Sequence, residues 1–214
     1  MIRQYIGRLG QGKTTMMIYD AWPFLTDRRR RYKIITNQPI HIQVGKQIWD
    51  YPATEREELV VRFMNDFNTL FLIDEIHLVF PSYDNKVLSP DLQARLSYMR
   101  KYGNALLYTS QGYNHVHKRI RDITNEVAKV RKTKFSWFWK HLATYYDPEG
   151  MNMGGIIDPY DDKFVIFRRY AWRWKIDKIY RSFDTKYTTV TDRMEGNFIQ
   201  PEKLGVKLDL FNAL

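Results

Sequence analysis

Apolar positions along the chain fall into short runs that read as strands, separated by stripes at helical spacing. Residues 2–6 form a first strand, and residues 15–22 continue as a helix that extends from Lys13 to about Leu25. Residues 32–37 have the β-branched content of a short buried strand, which Gln38-Pro39 ends. Residues 40–53 show no sustained period; Gly45 and Pro52 punctuate them, and Trp49 and Tyr51 are expected to pack. Thr54-Glu55-Arg56-Glu57 reads as a capping box, and Leu59, Val60, Phe63, Met64 and Phe67 give the helix after it one buried face. Leu70-Phe71-Leu72-Ile73 has the continuous apolar character of a central parallel strand covered on both faces. Ser89 caps a further helix with Pro90 at its first position; Leu92, Leu96 and Met99 turn inward, Arg95, Arg100 and Lys101 outward, and Gly103 closes it. Residues 104–111 then read as a strand with a polar tip. Strands alternating with helices predict an α/β fold with a mostly parallel central sheet flanked by helices.

The chemistry sits at the ends of those strands. Gly7-Arg8-Leu9-Gly10-Gln11-Gly12-Lys13-Thr14-Thr15 fits G-x-x-x-x-G-K-[ST], the phosphate-binding loop, and lies between a strand and a helix as that motif requires. Glycines let backbone N–H groups close round phosphates, Lys13 brings a cation to the β- and γ-phosphates, and Thr14 supplies a hydroxyl for Mg²⁺. Asp74 and Glu75 follow the apolar strand, at the carboxyl edge where open α/β sheets bind ligands. Asp74 is placed to contact nucleotide-bound Mg²⁺ directly or through water, and Glu75 to act as general base on the attacking water. Gln111, at the polar tip, either senses the γ-phosphate or simply begins the turn before Gly112.

Composition narrows the setting. The 214 residues suffice for one α/β domain with a full core, and the absence of cysteine excludes disulfides and thiolate metal sites. A net charge of +10 favours polyanions, nucleic acid first and anionic membrane surfaces second. No run of about 18 apolar residues and no secretory leader pattern is present, which predicts an intracellular protein without a membrane span. The pair His115-x-His117 lacks an evident third ligand, so the expected cofactors are ATP and Mg²⁺ alone.

The order of these parts carries a family resemblance. The phosphate loop after the first strand, ITNQPI at 35–40, LFLIDEIH at 70–77, RKYGNALLYTSQ at 100–111 and KRIRDITNEV at 118–127 together resemble the zonula occludens toxin-like ATPases, which include the gene I assembly protein of filamentous phages. That family is similar to the FtsK/HerA group of DNA-pumping ATPases, which includes viral packaging ATPases. The match spans about residues 1–130, with an echo at 179–185. It implies that Lys13 and Thr14 serve phosphate and Mg²⁺, Asp74 and Glu75 metal and catalysis, and Gln111 sensing. It further implies a homo-oligomeric ring in which an arginine reaches the neighbouring subunit's γ-phosphate; Arg100 ranks first, with Arg119 and Arg121 as alternatives. Phage assembly proteins carry a membrane span after the ATPase domain, which this chain does not show. The resemblance therefore implies a host-cytoplasmic protein at a virion vertex or inner membrane face, with capsid or membrane-associated assembly partners.

After the ATPase core, 1–130, a basic aromatic β-rich extension of the same domain is expected over 131–195 and a tail over 196–214. Lys129, Arg131, Lys132 and Lys134 precede the Trp-rich segment 135–139, and Arg168, Arg169 and Arg173 alternate with aromatics later. This pattern suits single-stranded nucleic acid, a half-buried hairpin with a basic outer face, or a membrane interface. Residues 147–155 and 158–162 read as loops. Three functions stand: a viral DNA-translocating ATPase for packaging or virion assembly, an assembly ATPase that scaffolds or drives extrusion without pumping DNA, and, most weakly, a small-molecule kinase.

Overall fold

The structure is a computed structural model and describes residues 1–80, 88–133, 138–148, 164–172, 175, 178, 179 and 182, with only the backbone of Trp139. In chain order it shows β1 (Ile2–Ile6), α1 (Lys13–Leu25), β2 (Lys33–Thr36), β3 (Ile40–Val44), β4 (Gln47–Tyr51), α2 (Arg56–Asn65) and β5 (Thr69–Ile73). There follow α3 (Pro90–Ser97), β6 (Ala105–Ser110), α4 (Lys118–Asp122), β7 (Glu126–Lys132), β8 (Trp139–Tyr146) and β9 (Val165–Trp172). One seven-stranded sheet runs β2-β5-β6-β1-β7-β8-β9. The first five strands in that order are parallel; β8 and β9 add antiparallel to β7. Parallel strands end together at one carboxyl edge, so the segments after β1, β5 and β6 converge there.

Alternation within the strands divides the core into two layers. Leu70 and Leu72 of β5 face α1 together with Tyr5, Leu107, Ala128 and Val130, while Phe71 and Ile73 face the opposite layer with Leu59 and Phe63 of α2 and Leu92 and Leu96 of α3. Phe63 stacks on Phe71 with ring centroids 4.1 Å apart. Such buried side chains contribute about 1.5–3 kcal/mol each.

The antiparallel strands are tied to α1 by a buried carboxylate. Asp20 Oδ2 accepts hydrogen bonds from Arg3 (2.9 Å), Tyr5 (2.6 Å) and Tyr145 (2.5 Å), and Oδ1 accepts from Arg169 (2.5 Å). Arg3 also reaches Glu126 through Nε at 2.7 Å. Burial, with the Asp20 charge beside it, pushes the Tyr5 and Tyr145 hydroxyls well up from their ordinary range, so both remain donors. A buried charge of this kind persists only because its lone pairs are filled.

Three local expectations are corrected. Residues 40–53 contain a hairpin, β3 pairing β4 from Ile40↔Tyr51 to Val44↔Gln47, with Gly45 at φ 62 in the two-residue turn. Ile40, Ile42 and Trp49 are buried on its inner face, an alternation too short to stand out beside the exposed Val44 and Ile48. The capping box does not form: α2 begins at Arg56 with Glu55 as N-cap and no side-chain cap, because the Thr54 amide donates to Thr36 O at 2.7 Å and keeps the chain extended there. Phe67 lies past the end of α2 and is exposed; the Arg95 guanidinium sits over it and over Tyr102, and donates to Phe63 O and Asp66 O at the helix end. Ser89 does cap α3, accepting from Leu92 N.

Candidate functional site

The phosphate loop leaves β1 and enters α1 at the carboxyl edge. Gly10 and Gly12 have φ of 72° and 89°, conformations that side chains resist. Gly12 is the N-cap of α1 and no side chain caps this end, so the first-turn N–H groups point into the loop. Arg8, Leu9 and Gly10 are exposed, Gln11 and Thr14 half-buried, and Lys13 and Thr15 buried. Gly7 lies against β7, where an added Cβ would stand 2.7 Å from Val130 O.

The acids reach this loop across β6, which lies between β5 and β1. Thr14 Oγ1 donates to Asp74 Oδ1 at 2.7 Å, and Lys13 Nζ is 3.4 Å from Glu75 Oε1. Asp74 is clamped through its backbone by Asn37, whose Oδ1 accepts from Asp74 N (2.8 Å) and whose Nδ2 donates to Asp74 O (2.7 Å). Thr109 binds both acids: its hydroxyl donates to Asp74 Oδ1 at 2.7 Å and accepts from Glu75 N at 2.8 Å. Glu75 holds φ at 49°, a left-handed conformation that costs a non-glycine residue about 1 kcal/mol or more and persists only when neighbours enforce it. His77 Nδ1 lies 3.3 Å from Glu75 Oε2. Burial lowers the His77 imidazole below its usual range and outweighs the opposing pull of Glu75. Asn37, Thr109 and His77 carry no motif of their own; the only signals were the polar residues within ITNQPI and at the end of YTSQ and the histidine two places past the acid.

Gln111 is exposed just past β6, whose Ser110 pairs with Ile6, so it stands at the same edge as the loop. Arg119 is exposed in α4; Arg121 hydrogen-bonds Asn114 and lies over the Tyr113 ring. Arg100 is at the opposite, amino edge, where its charge helps lower the pKa of the Met1 amine. It is therefore not brought to the phosphate loop of this chain. On the β7–β8–β9 ladder, Lys129, Thr144 and Arg168 form one cross-strand row, with Arg131 two residues on and on the same face. Arg169 and Lys132 belong to the other face, and Arg169 is engaged by Asp20. Lys134, Arg173, residues 135–137, 149–155 and 158–162 and the tail from 196 lie outside the described residues. In the segment 179–185, Ile179 and Ser182 are described and buried, and Ser182 O accepts from His41 N. Among the described residues no helix is long and apolar enough to cross a membrane.

A glycine loop closing the central strand, with strand-end acids delivered to it over an intervening parallel strand, defines the fold as that of the P-loop NTPases. The family model described as zonular occludens toxin (Zot) matches residues 1–147, and the chain belongs to that family. Among solved structures it is similar to the N-terminal domain of zonular occludens toxin from Neisseria meningitidis, at 16% identity and TM-score 0.54, covering 86% of this chain and 98% of that one. It is also similar to the genome packaging NTPase B204 of Sulfolobus turreted icosahedral virus 2 in complex with ATP-gammaS, at 12% identity and TM-score 0.50, covering 70% of this chain and 92% of that one. None of the curated protein sequences matches.

Proposed function

We propose that the protein is a DNA-translocating ATPase that couples hydrolysis to viral genome packaging or virion assembly. The observation that carries the reading is the bond from Thr14 to Asp74, which joins the phosphate loop to the acid pair in one site. Lys13 and the N–H groups at the start of α1 bind the β- and γ-phosphates. Lys13 and Glu75 face the same spot, 3.4 Å apart, so the cation that meets the γ-phosphate adjoins the carboxylate that takes the proton of the attacking water. Thr14 and Asp74 offer two hard oxygen donors 2.7 Å apart, a set that fits Mg²⁺. Thr14 would hold the ion directly and Asp74 directly or through water, and the ion would offset phosphate charge. Gln111 is proposed as the γ-phosphate sensor. Arg100, with Arg119 and Arg121 as alternatives, is proposed to act on a neighbouring subunit's nucleotide in a ring.

Movement of DNA is supported by the +10 charge, by the basic row Lys129 and Arg168 with Arg131 beside it, and by the fold shared with the genome packaging NTPase B204. The proposed setting is the host cytoplasm, at a virion vertex or inner membrane face. The test of the chemistry is Glu75→Gln: it should bind ATP with affinity near wild type and lose turnover by about a hundredfold or more. Undiminished turnover in that variant contradicts the base assignment.

A further inference from the structure

The inner wall of the phosphate loop is built by strands that precede and carry the extension, and its contacts are specific. Lys132 N donates to Gln11 Oε1 at 2.9 Å. His141, directly across from Lys132 in the β7–β8 register, hydrogen-bonds the main chain of Gln11. The same imidazole covers Gly12: a Cβ there would stand 2.6 Å from Nδ1 and 2.8 Å from Nε2 of the ring. With Gly7 against Val130 O, the loop meets this ladder at its start and at its end. Its outer residues Arg8, Leu9 and Gly10 are exposed. His141 is fully buried, and burial first, with Lys140 and Lys132 adding, lowers its pKa to about 4. A neutral ring beside an anion site contributes shape and hydrogen bonding rather than charge.

We propose that the cross-strand pair Lys132 and His141 is a positioning device for the phosphate loop, so that nucleotide affinity is set in part from the β7–β8 ladder and nucleotide occupancy is reported back to it. The inference rests on the reading of the loop as an ATP site. The physical basis is preorganisation. A loop whose N–H groups already converge binds without the ordering cost that a free loop meets, and that cost is about tenfold in affinity for each backbone residue freed. Linkage makes the effect mutual: if the ladder tightens ATP, ATP tightens the ladder.

The test uses the full chain and ATPγS with Mg²⁺. In titration calorimetry, His141→Ala should weaken ATPγS by about tenfold or more, and Gln11→Ala should add little on top of it, because both release the loop at Gln11. Ile42→Ala, a buried truncation in the β3–β4 hairpin, is the control for general destabilisation and should leave affinity within about twofold. A measurement needing no variant is amide exchange in the wild type, which saturating ATPγS should slow in β8. Wild-type affinity in His141→Ala, a loss equal to that of Ile42→Ala, or unchanged exchange in β8 overturns the proposal. Failure of the wild type to bind ATPγS at all overturns the nucleotide reading itself, a separate outcome.

Discussion

Replacing Thr109 with valine removes one hydroxyl and almost no volume, at a buried position between the two acids. That hydroxyl makes two bonds, 2.7 Å to the Asp74 carboxylate and 2.8 Å from the Glu75 amide. Loss of a hydrogen bond to a charged group costs about 1.5–3 kcal/mol, and an amide left without its acceptor about 1–3 kcal/mol. Asp74 keeps its bond from Thr14, so the two losses do not simply add, and a net destabilisation of about 3 kcal/mol is expected. The effect on chemistry should be larger than the stability loss alone suggests. Glu75 sits at φ 49, and without the Thr109 anchor its backbone is free to relax from that conformation. Thr109→Val should lower kcat by about tenfold or more while ATP affinity stays within about threefold, because neither Lys13 nor the loop is touched. Thr109→Ser, which retains the hydroxyl, should restore turnover. The measurements are urea unfolding, steady-state ATPase and ATPγS titration. Turnover of Thr109→Val equal to wild type would refute the claim that Thr109 positions the acids.

Two further perturbations bear on the frame around the site. Asp20→Asn removes the counter-charge that Arg169 pairs with and one of the two that Arg3 pairs with, Glu126 remaining, and should destabilise the protein by about 3 kcal/mol in urea unfolding, whereas a change near zero would mean that the buried carboxylate does not hold the antiparallel strands. Stability should also depend on pH through His141. Its folded pKa of about 4 lies below the usual value near 6.5, so the unfolded chain binds the extra proton first, and stability is complete above about pH 6.5 and falls as pH drops through about 4. The difference is about 3 kcal/mol, and it should be missing from His141→Gln; identical acid profiles for the two proteins would contradict it.

The parts of the site legible in the chain were those written in consecutive residues. Gly7 to Thr15 and Leu70 to Glu75 each carry their own geometry, a loop between strand and helix and a buried strand ending in acids, and the structure puts Thr14 on Asp74 across 60 positions. What supports them was not legible. Thr109, Asn37 and His141 are ordinary polar residues until strand order brings them in, and the contact of His141 with Gly12 depends on an antiparallel strand beside a parallel one. Likewise the hairpin at Ile40–Val44 and Gln47–Tyr51 buries only one short face, so its period was masked by Val44 and Ile48 at the tip. The capping box failed for a tertiary reason, since the Thr54 amide is taken by Thr36 of β2.

The most direct test of the account is ATP turnover by the purified protein with and without DNA as salt is raised. A motor gripping phosphates through its basic row predicts turnover raised by DNA near 50 mM salt, with the stimulation falling steeply by about 200 mM as counterion release loses its driving force. Turnover indifferent to DNA at every salt concentration would contradict DNA translocation and leave an assembly ATPase that does not itself pump DNA.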